Sequence, residues 1–179
     1  MIKALKGKFP SIHPTAFVAE QAVIVGDVTL GEQSSIWFGA VARGDVHSIK
    51  IGGGTNVQDN TMLHVTGGRY SLEIGDFVTI GHNAVVHGCV VESNVLIGMG
   101  AVVLDGAKIE SGSVVGAGAL VPPGFVLPSG KLAVGVPAKI VRDLTGEEKE
   151  EIKQSAENYI RNSRLYMEDP DFNKRGDTQ

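Results

Sequence analysis

One cysteine in 179 residues excludes a disulfide scaffold and points to a reducing, cytoplasmic compartment. Prolines number 7, too few for a collagen-like repeat. No apolar run reaches the ~18 residues of a membrane span, and the first ten residues hold no apolar signal core. Positive charge is also short: 16 Lys and Arg stand against 20 Asp and Glu, a net −4. That balance offers no basic footprint for nucleic acid, so neither nucleic acid nor membrane is an expected partner. Aromatics contribute only 6 %, yet apolar residues reach 42 %, which excludes intrinsic disorder. The core must therefore be built from Val, Ile, Leu and Ala. Glycine is the residue in excess: 24 of them, where an average chain of this length has roughly half as many.

Charges and glycines divide the chain. Fifteen of the 36 charged side chains fall from Thr145 onward, whereas 22 of the 24 glycines precede it. Thr145-Gly-Glu-Glu148 reads as a capping box, in which Thr and Glu satisfy each other's free N–H groups. Behind it Ile152, Ala156, Tyr159 and Ile160 recur at helical spacing, predicting a helix from about Glu147 to Tyr166. The expected organisation is a repeat domain over 1–144, a helix packed on it within 145–170, and a polar tail over 171–179.

The repeat has a period of six. Aliphatic residues stand at Val91, Ile97, Val103, Ile109, Val115 and Val121, and the same ladder runs from Ile12 through Val18, Ile24, Leu30 and Ile36 to Ala42. Between them lie Ile51, Val57 and Leu63, then Ile74, Ile80 and Val86. Six fits neither a helix nor a flat strand taken alone. It fits a parallel β-helix, an all-β solenoid whose short strands alternate with tight corners. Aliphatic residues point inward, and glycines serve corners that need positive φ or have no room for Cβ. Eighteen such hexads make six coils of three. The spacing slips only at 42–51, 63–74 and 86–91, where loops or a shortened turn are expected.

Register places the histidines. With three hexads per coil, Leu63 stacks on Ala42 and Val86 on Leu63. Arg43, His64 and His87, each one residue later, then form a column with Asp45 nearby. His82 belongs to another face, above Gln58 and Asp59. Two neighbouring chains can bring both faces together, and repeating that contact about a threefold axis closes a homotrimer with intersubunit sites. Three neutral imidazoles suit a catalytic divalent metal, usually Zn2+, with Fe2+ or Co2+ also compatible. Gln58 is placed to orient a metal-bound hydroxide, while Arg43, Asp45 and Asp59 suit an intersubunit ion-pair cluster. His13 and His47 read as solvated, Cys89 as inert core, and Trp37 and Phe38 as packing residues. Gly52-Gly-Gly54 lacks the Lys-Ser/Thr and helix of a phosphate loop and reads as a tight corner. Arg43-Gly-Asp45 also matches an adhesion tripeptide, a coincidence in a cytoplasmic chain.

The hexads, followed by Gly135-Val-Pro-Ala-Lys139 and a helix, resemble the hexapeptide-repeat superfamily, which implies a left-handed coil. Arg43-Gly-Asp45, Gln58-Asp59, His64 and His82-x4-His87-Gly88 resemble the γ-class carbonic anhydrase family. That resemblance implies a homotrimer with His64 and His87 from one chain and His82 from its neighbour on each metal. It implies reversible hydration of CO2 to bicarbonate by metal hydroxide, and it carries over Tyr159 on the C-terminal helix as a residue near the site. Two departures stand out. Val46 occupies the place of a glutamate in the best-known active relatives. The stretch Val65-Thr-Gly-Gly-Arg-Tyr-Ser71 is short and holds none of the acidic residues that deliver a proton-shuttling glutamate there. Fast hydration needs a proton relay to solvent, so the level of anhydrase activity stays open. The alternatives are a metal-dependent thioesterase on small acyl-CoA substrates, an acyltransferase, and a non-catalytic scaffold or metal carrier.

Overall fold

Most hexads fold as a strand of two or three residues followed by a corner, with the aliphatic residue and the small one two positions before it buried. Val23–Leu30 and Val41–Ile51 run on as longer strands, the second through the slip at 42–51. In the computed structural model, which describes residues 1–172, these strands pair in parallel along three faces of a left-handed β-helix of about seven turns. On the first face Ile12 pairs with Leu30, Leu30 with Ile51, and the stack continues through Ile74, Val91 and Ile109 to Leu127. The second runs from Val18 through Ile36, Val57, Ile80, Ile97 and Val115 to Ala133. On the third, Ile2 pairs with Ile24, and Ala42, Leu63, Val86, Val103 and Val121 follow. The seventh turn, beyond the six expected, arises because Leu127 and Ala133 continue the six-residue spacing and Ile2 pairs at the opposite end. Ile24, Ile80, Leu63, Ile97 and Ile109 are fully buried, so the aliphatic ladder is the core. Corners need one residue at positive φ; Gly106 (φ 69°) fills it in one coil and Asn94 (φ 57°) in another.

All three slips in spacing fall at one corner, between the third face and the first. Gly26 pairs with Gly44 but Val28 with Ile49, so residues 45–48 are extruded against Asp27 alone. One coil up, residues 65–71 are thrown out as a loop closed by a bridge between Thr66 and Tyr70. In the next coil Gly88-Cys89 makes the shortened turn between the strands Val85–His87 and Val90–Val91. The repeat is broken where His64 and His87 end their strands.

At the far end Lys131–Val134 pairs antiparallel with Lys139–Asp143, which covers the edge of the second-face sheet. The helix runs from Gly146 to Glu168, slightly longer at both ends than the spacing predicts. Thr145 caps it in a full capping box with Glu148. Arg142 adds two hydrogen bonds of 2.7 Å to the Glu148 carboxylate. The helix packs across the lower second face, burying Ile152 and Ala156. Six of the ten aromatics gather beneath and beside it: Phe17, Trp37, Phe38, Tyr159, Tyr166 and Phe172 are linked by centroid contacts of 4.8–6.2 Å. The narrow aliphatic coil has little room for large rings, so they weld the helix to its outside. Among the described residues no helix is long and apolar enough to cross a membrane. Of the polar tail expected over 171–179, residues 173–179 lie outside the described residues.

Candidate metal centre

His64 and His87 pair in register on adjacent strands, so their side chains leave the third face in parallel. Their ring centroids lie 5.0 Å apart, and His64 Nδ1 stands 2.9 Å from His87 Nε2. Each ring's other nitrogen is held by a carboxylate. His64 Nε2 meets Asp45 Oδ1 at 3.0 Å, and His87 Nδ1 meets Asp105 Oδ1 at 2.6 Å. Both acids are ionised at neutral pH. Burial pushes the Asp45 carboxyl up, but hydrogen bonds from His64 and Arg43 outweigh it and hold it below the usual carboxylate range. Burial likewise opposes ionisation of Asp105, and hydrogen bonds from Thr66 and His87 with the charge of Arg69 again prevail.

An ionised carboxylate only accepts, so the outer nitrogen of each imidazole carries its proton. The two inner nitrogens then face each other lone pair to lone pair at 2.9 Å. That juxtaposition calls for a positive charge between them, a proton or a metal ion. The separation is within the span of two Zn–N bonds of about 2.0–2.1 Å. Carboxylates on the outer nitrogens are also the usual support for metal-binding histidines. The donor set therefore fits a divalent metal.

Arg43 stands one strand below His64 and pairs with Asp45 within the chain. A groove of about 340 Å³, bordered by Lys8, Asp27, Asp45 and His47, opens beside that pair. His82, Gln58 and Asp59 are placed on the second face instead. His82 Nδ1 lies 2.9 Å from Asp59 Oδ2. The buried Gln58 amide donates to Asn56 Oδ1 at 3.1 Å, and Asn56 reaches Thr79 and through it Ser155 of the helix. Tyr159 stacks edge-on against Trp37. Burial, and then the negative charge of Asp59, push its phenol up. The two groups thus lie on different faces of one chain, and among the described residues no three His, Cys, Asp or Glu side chains converge closely enough to hold a metal.

Asp105 and Thr66, whose hydroxyl donates to Asp105 Oδ2 at 2.7 Å, were not among the residues expected from the sequence. The signal was the register: Val103 stacks on Val86, which places Asp105 one coil above His87. His13 is exposed and bonded to Thr15, and His47 Nδ1 accepts from the Ser48 backbone N–H.

Comparison with known proteins bears on this arrangement. The model for the bacterial transferase hexapeptide, six repeats, matches residues 88–123. The carbonic anhydrase of Geobacillus kaustophilus is 48 % identical over 166 residues, covering 93 % of this chain and 91 % of that one. The chain belongs to the γ-carbonic anhydrase family. Gamma carbonic anhydrase 2, mitochondrial, of Arabidopsis thaliana is 47 % identical over 89 % of this chain. The chain spans only 59 % of that plant relative's length. A solved structure described as a hexapeptide transferase family protein from Anaplasma phagocytophilum superposes with a TM-score of 0.88 at 46 % identity, covering 92 % of this chain and 97 % of that one. Against the pattern of the γ-carbonic anhydrases, Val46 is exposed at the extruded corner, and the loop over 65–71 folds down beside it, with Gly67 close to the Val46 side chain. Neither position offers an acid to the site.

Proposed function

We propose that the chain catalyses reversible hydration of CO2 to bicarbonate at a divalent metal shared between subunits of a homotrimer. The observation that carries this reading is the His64–His87 pair, whose inner nitrogens face each other while Asp45 and Asp105 hold the outer ones. His64 and His87 would hold the metal from one chain and His82 from its neighbour; zinc is the usual occupant, with Fe2+ or Co2+ compatible. When bound, such a metal lowers the pKa of water toward about 7 and so supplies a nucleophile at neutral pH.

The protein's own groups prepare the place. Asp45 holds the outer nitrogen of His64, and Asp59 holds Nδ1 of His82. Gln58 is locked by Asn56, so its amide presents a fixed dipole rather than a mobile one. Tyr159, held edge-on against Trp37, keeps a neutral phenol on the helix side of the second face. The trimer has physical support in an outward column on the third face. Val41, Met62, Val85, Val102 and Leu120 precede the inward residues and run parallel to the histidines. An aliphatic stripe next to a half-site is a surface suited to burial against a second copy.

Purification without air, metal analysis and stopped-flow CO2 hydration test the proposal. It predicts one metal per chain and hydration that disappears on chelation and returns with zinc, cobalt or iron. Absence of hydration with every metal would refute it. A second reading, transfer or hydrolysis of a small acyl thioester, draws on the relative described as a hexapeptide transferase family protein. Acyl-CoA turnover that survives chelation favours transfer, and turnover that needs the metal favours hydrolysis.

A further inference from the structure

We infer that Asp105, anchored by Thr66, is the positioning residue that fixes His87 in the tautomer able to bind a metal. This inference rests on the metal reading above and adds the device that prepares one of its ligands. Asp105 comes from the coil above His87, and its Oδ1 accepts a hydrogen bond from His87 Nδ1 at 2.6 Å. Its second oxygen accepts from Thr66 at 2.7 Å, across 39 residues of sequence. The carboxylate is thus clamped between the loop over 65–71 and the His87 ring. With Nδ1 protonated, Nε2 keeps its lone pair and faces His64.

Gly88 makes the clamp possible. It adopts φ 51°, and a Cβ built there would come within 2.3 Å of Asp105 Oδ1 and 3.0 Å of Tyr70 Cβ. The carboxylate occupies the space that a side chain on residue 88 would take. The shortened corner after His87 and the extruded loop after His64 therefore serve one purpose: they let a group from the next coil and a hydroxyl from the previous one meet behind the same imidazole. The short loop over 65–71 thus has a role of its own, support of Asp105 through Thr66.

The test has one readout that needs no metal. In 15N-histidine-labelled apoprotein, at a pH about two units above the ordinary imidazole value so that the rings are neutral, long-range proton–nitrogen NMR should find His87 in the Nδ1–H tautomer in the wild type and a mixture in Asp105→Ala. Thr66→Val, which keeps Asp105 itself, should shift the same populations by less. Zinc affinity, measured by competition with a chromophoric chelator, should fall about 10–100-fold in Asp105→Ala and less in Thr66→Val, at unchanged oligomeric state and circular dichroism. An unchanged His87 tautomer in both variants would overturn the inference, whatever the metal does. If the wild type binds no zinc, the metal reading falls, while the tautomer still decides the role of Asp105.

Discussion

Replacing Gly88 by alanine separates two costs that the structure allows to be counted. The first is backbone: residue 88 sits at φ 51°, and an L-residue in that region costs about 1–2 kcal/mol. The second is local. A Cβ only 2.3 Å from Asp105 Oδ1 cannot coexist with the carboxylate, so Asp105 must withdraw and its hydrogen bond to His87 is lost. A hydrogen bond to a charged group is worth about 1.5–3 kcal/mol, and the lower end applies here because the pair is part-exposed. Gly88→Ala should therefore destabilise the protein by about 2.5–3.5 kcal/mol. Gly112 supplies the control. It has φ 67° and nothing within 4 Å of its built Cβ, so Gly112→Ala should cost only the backbone share of about 1–2 kcal/mol. Urea unfolding of wild type and both variants, at one fixed protein concentration, measures the difference. Equal losses in the two variants would refute the placement of Asp105 against Gly88.

Other perturbations probe separate parts of the fold. Leu63, fully buried in the third-face stack, should cost about 2–5 kcal/mol on truncation to alanine, read by the same unfolding assay. Cys89 is buried at 2 % exposure, and burial, with the charge of Asp105, pushes its thiol up to about 12. It should resist iodoacetamide at pH 8 until the chain unfolds, a result mass spectrometry reads directly. Hydrogen bonds from Arg142 and the Thr145 backbone N–H hold the Glu148 carboxyl down to about 2. Its folded pKa is depressed, so its contribution is complete above the unfolded value near 4.5 and is lost as pH falls toward 2. Hydrogen exchange in the first turn of the helix should accelerate over that window in the wild type and show no such step in Glu148→Gln.

The architecture was legible because the period of six is dictated by the core itself: each coil needs one aliphatic residue per face, and slips are tolerated only where a loop can leave the surface. The same register brought Arg43, His64 and His87 into one column, and the pairing of Ala42, Leu63 and Val86 follows it. Asp105 escaped notice because an acid two positions after an inward residue looks the same as Asp76 after Ile74, or any other solvated corner, until its partner is known. Its meaning depends on Thr66, 39 residues away, and on the space left by Gly88. The aromatic cluster was hidden for a related reason. Trp37 and Phe38 read as packing residues, but what they pack against is a helix more than 100 positions later, and nothing in a hexad encodes that contact.

The central claim is that each metal site is completed by two chains. Mixing subunits tests it most directly: His64→Ala and His82→Ala chains, each without bound metal or hydration activity as homotrimers, are unfolded together and reassembled at equal amounts. If His82 acts on the neighbour's His64 and His87, a His82→Ala chain followed by a His64→Ala chain rebuilds an intact site. In random cyclic trimers about one quarter of the interfaces have that order. Zinc content and CO2 hydration should then recover to about one quarter of wild type. Mixed trimers that stay as empty and inactive as their parents would contradict the account.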